Sequence, residues 1–152
     1  MAASVKTRVS YADDLHAWSL EQAALLRARR TEGLDWDHLA EELEAMGGSD
    51  ERELESRLCV ILLHLLKWQT QPELRGASWR KTLRTQRREI RKLLKQSPSL
   101  RRQVPGLMRE AYPDAVKDAV DETGLPIGRF PVDCPYPADD VLAETYLPDA
   151  AI

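Results

Sequence analysis

Six residues come nearest to a chemical constellation: His64, Lys67, Trp68, Trp79, Gln86 and Arg87. His64 is the one polar residue in the apolar run Leu58 to Leu66, and Glu53, Arg57, Val60, His64, Lys67 and Gln71 recur at alternating spacings of four and three. That spacing sets them along one stripe of a helix. Trp79, Gln86 and Arg87 can face the stripe from the following helix. An imidazole beside an amine and a guanidinium, bordered by two indoles, could bind a small ligand or move a proton. The competing reading is a closed polar network that fixes helix register. Either way a buried cation needs an anion, so Glu53, Glu55 or an acidic residue from another helix is expected there.

A second constellation is electrostatic. Arg80, Arg84, Arg87 or Arg88, Arg91 and Lys95 follow one helical face, flanked by Lys81 and Lys92. They belong to residues 73–103, where eleven basic residues meet two acidic ones, while residues 1–48 carry net minus 4, 49–72 minus 1 and 104–152 minus 7. Arg80, Arg84, Arg88, Arg91 and Lys95 are therefore candidate anion-binding residues, and a phosphate backbone is one possible anion. Trp79 is the lone aromatic on that helix, which argues against a single-strand stacking platform. Acidic helices one interaxial distance away, about 8–10 Å, would cancel much of the field, since screening at physiological salt acts over about 8 Å.

Other chemistries find little footing. His38 with Glu41 and Glu42 puts an imidazole and carboxylates one turn apart, but there are three histidines in all, and the repeated Glu-x-x-His of di-iron bundles is absent. Cys59 lies inside the apolar run and Cys134 among prolines, without the close pairing that disulfide frameworks and zinc sites need. No nucleophile elbow, P-loop or dinucleotide fingerprint occurs. Neither a metal nor a cofactor is expected, and no catalytic residue can be assigned.

Helices must position all of these residues. Ser19 and Gln22 form a capping box before a helix from about Leu20 to Arg30, with Asp13 able to cap a short preceding turn and Gly33 ending the run. Asp35 starts a second helix that Gly47-Gly48 stops. Asp50 with Glu53 opens a third, whose stripe is Leu54, Leu58, Ile61, Leu65 and Trp68, and Pro72 ends it. Ser78 caps a fourth, with Trp79, Leu83, Ile90 and Leu94 on its seam, ending near Gln96. Ser97-Pro98 opens a fifth stretch to Thr123 before Gly124, bent or broken at Pro105 or Pro113. Five of the nine prolines follow Gly124, so the end should lie extended, with one helical turn after Pro137.

No strand-like alternation and no internal repeat appears. The expected fold is all-α: an up-down four-helix bundle with an additional short helix and an extended Pro-rich C-terminal tail, since short connections favour antiparallel neighbours. Its parts are an N-terminal arm over 1–10, a helical body over 11–124 and a tail over 125–152. At 152 residues, one core burying roughly 70% of the unfolded surface is within reach. The opening MAASVKTRVSYADDLHAW has no apolar core of the kind a signal peptide carries, and the longest apolar run is about half a bilayer span, so the expectation is a cytoplasmic protein without membrane contact.

With the elements in place, AWSLEQAALLRARR, LAEELEAMGGSDERELESRL, LLHLLKWQTQPELRGASWRKTLRTQRREI, DETGLP and FPVDCPY together resemble a bacterial helical family, domain of unknown function 29, over residues 11–137. The resemblance preserves unusual polar residues inside helices. It implies a mostly helical, four-helix-bundle domain and names no reaction. The family pattern usually has an aromatic residue where His16 stands, an asparagine-like residue at His38 and a basic one at Gly48, so a mechanism built on His16 or His38 would be private to this chain. Three functions remain open: a small helical interaction or adaptor module without catalysis, self-associating or binding a protein partner; a nucleic-acid-associated protein using the basic helix; and a ligand binder or enzyme using the His64/Lys67 cluster.

Overall fold

The computed structural model describes residues 8–149, so most of the expected N-terminal arm and the last residues of the expected tail lie outside it. Five α-helices are found among the described residues: α1 (Leu15–Arg27), α2 (Trp36–Thr70), α3 (Ala77–Gln96), α4 (Val104–Thr123) and the short α5 (Ala138–Leu142). Short 3-10 turns cover Pro72–Leu74, Pro98–Gln103 and Ile127–Arg129, and no strand occurs among the described residues. The chain divides into two compact units, Met1–Gly47 and Gly48–Ile152.

In the first unit, Asp14 caps α1 through its carboxylate, which accepts from the Ala17 N–H at 2.9 Å. Ser19 is not the cap: it sits inside the helix and donates its hydroxyl to the His16 carbonyl. The helix closes earlier than Gly33. Arg29 takes a positive φ of 55°, with Arg30 N–H bonded to the Leu25 carbonyl and Arg29 N–H to that of Leu26, the paired bonds of a Schellman ending. Gly33, at φ 92°, serves the next turn, and a Cβ there would lie 2.5 Å from the Arg8 guanidinium. Trp18 and Gln22 are the buried residues of α1, and both reach Asp35: Trp18 Nε1 donates to its carboxylate, and Gln22 Oε1 accepts from its N–H at 2.8 Å. Asp35 is thereby held at the entry to α2, as its position in the sequence implies.

The largest difference from expectation is α2, one helix of 35 residues that runs through Gly47-Gly48. Two glycines inside a helix weaken it by about 1 kcal/mol each. Stopping and restarting would leave the terminal N–H and C=O groups of two helix ends to be satisfied and would require a second nucleation. Continuation is the smaller penalty. Asp50, expected to cap a new helix, instead accepts from Ser97 Oγ at 2.9 Å.

In the second unit the core is sequence-legible. Leu54, Leu58, Ile61 and Leu65 of α2 are sealed, with Leu83, Ile90 and Leu94 of α3 and the Val104, Leu107, Ala111, Ala115, Ala119 stripe of α4. Gly76, in extended backbone, precedes α3, and Ser78 lies within its first turn without capping it. Ser97-Pro98 opens a 3-10 turn, and the α-helix starts only at Val104. Pro105 falls at the helix start, where its missing N–H has no partner to lose, and α4 continues through Pro113 to a left-handed Gly124. After α4, Phe130, Tyr136 and Val141 are buried in the same core.

Candidate functional site

Helix α3 carries most of the candidate residues, and the folded chain sorts them into separate groups. Lys67 Nζ lies 2.6 Å from Glu122 of α4 and 4.8 Å from the Trp79 ring centroid, so the carboxylate its burial requires comes from α4. His64, one turn earlier, is half-buried and directs Nδ1 at the Val60 carbonyl, 2.8 Å away. A carbonyl can only accept, so Nδ1 bears the proton. Burial, helped by the Lys67 charge, holds the His64 pKa below its ordinary value. A neutral imidazole tied into its own helix cannot serve as a free base at Nδ1.

Gln86 turns elsewhere, accepting from Arg57 at 3.1 Å, while Arg57 also pairs with Glu53. Two cations lie over the Trp68 ring, with the Arg75 and Arg80 guanidinium carbons 5.2 and 5.1 Å from its centroid. Arg87 departs furthest. It is 2% exposed, donates from Nε to the Val141 carbonyl at 2.9 Å and from Nη1 to the Glu144 carbonyl at 3.3 Å, and makes no carboxylate pair among the described residues. Its Nη2 is buried with no partner there, and burial lowers its pKa. The six-residue cluster is thus divided among α4, α2 and the C-terminal segment.

The anion-binding stripe is similarly divided. Glu89 takes both Lys92 and Arg88, whose hydrogen bonds hold its carboxyl below the usual range, and Glu144 stands 3.5 Å from Arg91. Arg84 and Lys95 are exposed, with no hydrogen bond or ion pair among the described residues. No three His, Cys, Asp or Glu side chains among the described residues are grouped to hold a metal. Burial pushes the Cys59 thiol up to about 11 and also raises that of Cys134, so neither is a ready thiolate at neutral pH.

The first unit presents a different kind of site. Asp35 accepts from Trp18 and pairs with His38 Nδ1 at 2.7 Å, which raises the His38 pKa, and Tyr11 stacks on the His38 ring at 4.0 Å. Beside this cluster an open groove of about 640 Å³ is floored by Leu15, Leu26, Leu39, Leu43 and Met46, with Glu42 at its edge. Leu15, Leu20, Leu26, Trp36, Leu43 and Met46 are all exposed large apolar side chains, six of the nine found among the described residues. Among the described residues of this unit nothing covers them, and helical spacing alone does not reveal that.

A family description, Domain of unknown function DUF29, matches residues 10–147. No curated protein and no solved structure matches the chain.

Proposed function

The chain belongs to the DUF29 family, whose description names no activity, and from its own geometry we propose that it is a helical interaction module without catalysis, docking through its first unit. The observation that carries this reading is the exposure of Leu15, Leu26, Leu43 and Met46, on α1 and the opening turns of α2, around one groove, with Leu20 and Trp36 exposed elsewhere on the same two helices. Contiguous apolar surface of this kind marks an interaction site on a folded protein.

The occupant we infer is a basic amphipathic helix of a partner protein. Described residues 8–47 carry nine carboxylates, including Asp14, Glu21, Glu41, Glu42 and Glu44, against four arginines. A helix with apolar residues on one face and lysine or arginine on its flanks matches both the apolar lining and the net negative charge of the unit that carries it. A second copy of the same face would bring like charges together. An up-down packing of α2, α3 and α4 is our proposal for the larger unit, narrower than the four-helix bundle expected over residues 11–124, and the core that these three helices share supports it. The basic helix lends less support to nucleic-acid binding, because Glu89 and Glu144 stand against three of its cations.

The test uses the full chain and a synthetic Leu/Lys amphipathic peptide of about 18 residues, long enough to form a helix on binding. The expected result is saturable binding that an acidic peptide of equal length does not reproduce and that Leu43→Asp with Met46→Asp abolishes while circular dichroism is unchanged. Binding indifferent to those substitutions would overturn the proposal. So would light scattering showing a dimer that the same substitutions convert to monomer, since the groove would then be a self-interface.

A further inference from the structure

Arg80, Arg84 and Arg87 share one face of α3, and they line a cavity of about 380 Å³ together with Leu83, Thr145 and Leu147. The volume falls within the range of small-molecule sites. The cations of α3 divide by position. Arg88, Arg91 and Lys92 each have a carboxylate, whereas none of the three arginines on the cavity makes an ion pair among the described residues. Arg80 lies over the Trp68 ring, and Arg84 is exposed and free of hydrogen bonds among the described residues. The one acidic residue on the cavity wall, Glu144, directs its carboxylate to Arg91 and only its backbone carbonyl to Arg87.

Arg87 supplies the independent observation. Guanidinium offers five N–H donors, and a buried donor without an acceptor is destabilising. Two backbone carbonyls engage Nε and Nη1, and Nη2 has no acceptor among the described residues. A fork-shaped cation left with one arm unmatched is suited to an oxyanion, which can accept from two nitrogens at once.

We propose that the cleft between α3 and residues 144–147 binds a small organic oxyanion, its carboxylate or phosphate head held by Arg84 and Arg87 and a short aliphatic portion against Leu83 and Leu147. Arg87 already ties the Val141 and Glu144 carbonyls to α3, so an anion on the same guanidinium tightens the C-terminal segment as it binds. The site is independent of the groove in the first unit and stands or falls separately from it.

The experiment titrates the full chain with sodium phosphate and with sodium hexanoate, against sodium chloride at matched ionic strength, following the arginine Nε–H resonances and the melting temperature. At least one of the two anions should give a saturable shift at Arg87 that chloride does not give, and the stronger of them identifies the head group. Arg84→Ala, at an exposed position, should weaken that binding by roughly tenfold, the loss expected for one charge-assisted hydrogen bond. Arg88→Ala, on a cation already paired with Glu89, should leave it unchanged. If neither anion exceeds chloride, or if Arg84→Ala and Arg88→Ala weaken it equally, the site is diffuse surface charge and the proposal fails.

Discussion

Leu43 and Leu54 stand on the same helix, yet Leu43 is 66% exposed and Leu54 is 0% exposed. The first belongs to the unit ending at Gly47 and the second to the unit beginning at Gly48. Neither residue type nor helix formation separates them. In the larger unit α3, α4 and the C-terminal segment all contribute side chains to one core, whereas in the smaller unit α1 seals only Trp18 and Gln22. Burial is decided by what is available to pack against. Leucines of equal hydrophobicity thus become scaffold in one unit and accessible surface in the other.

The sharpest way to break this comparison is a matched pair of truncations. Leu58→Ala should cost about 3 kcal/mol in urea unfolding, the range for emptying a sealed leucine site, and Leu43→Ala should change stability by less than about 0.5 kcal/mol. A comparable loss from Leu43→Ala would mean that the first unit conceals that side chain, and the docking reading would go with it.

A smaller effect is expected at the junction. Nothing lies within 4 Å of a Cβ built on Gly47, so Gly47→Ala should stabilise α2 by roughly 0.5–1 kcal/mol through helix propensity alone, measured by the same unfolding. A loss of stability instead would show that the glycine is needed for a bend between the units rather than tolerated inside a helix.

The smallest effects come from the two histidines, which should titrate in opposite senses. His38 has its folded-state pKa raised by Asp35, so its contribution is fully present below pH 6.5 and is lost as pH rises through the folded value. His64 has its pKa lowered by burial, so the unfolded chain binds the proton first, and stability falls as pH drops below 6.5 toward the folded value. Acidification from pH 7.5 should favour the first unit and disfavour the second. Proton NMR of the imidazole Cε1–H resonances checks both, and a His64 pKa above that of His38 would refute the assignment.

Much of the helical content could be read from spacing and punctuation. The Leu54, Leu58, Ile61, Leu65, Trp68 stripe is buried as its period implies, Asp35 and Pro72 mark the limits of α2, and Gly124 ends α4 in the left-handed conformation. Local signals misled where several solutions were close in energy. Ser19 and Ser78 have cap chemistry but lie inside helices, and the glycine pair is carried along by helix on both sides. For the cation at Lys67 the sequence offers Glu53, Glu55 or an acidic residue of another helix, and Glu122 of α4 is the one that meets it while Glu53 pairs with Arg57, because charge need can be read locally and its supplier cannot.

The periodicity of apolar residues and the identity of the breakers already specify helices, their approximate ends and the sealed face of the long second helix, because these depend on interactions a few residues apart. That Arg87 meets backbone carbonyls instead of a carboxylate, that His64 and Gln86 part company, and that Leu15, Leu20, Leu26 and Leu43 stay exposed all depend on contacts between distant segments. Carbonyl groups are the same in every residue and leave no mark in the letters, so those outcomes became visible only once the chain was folded.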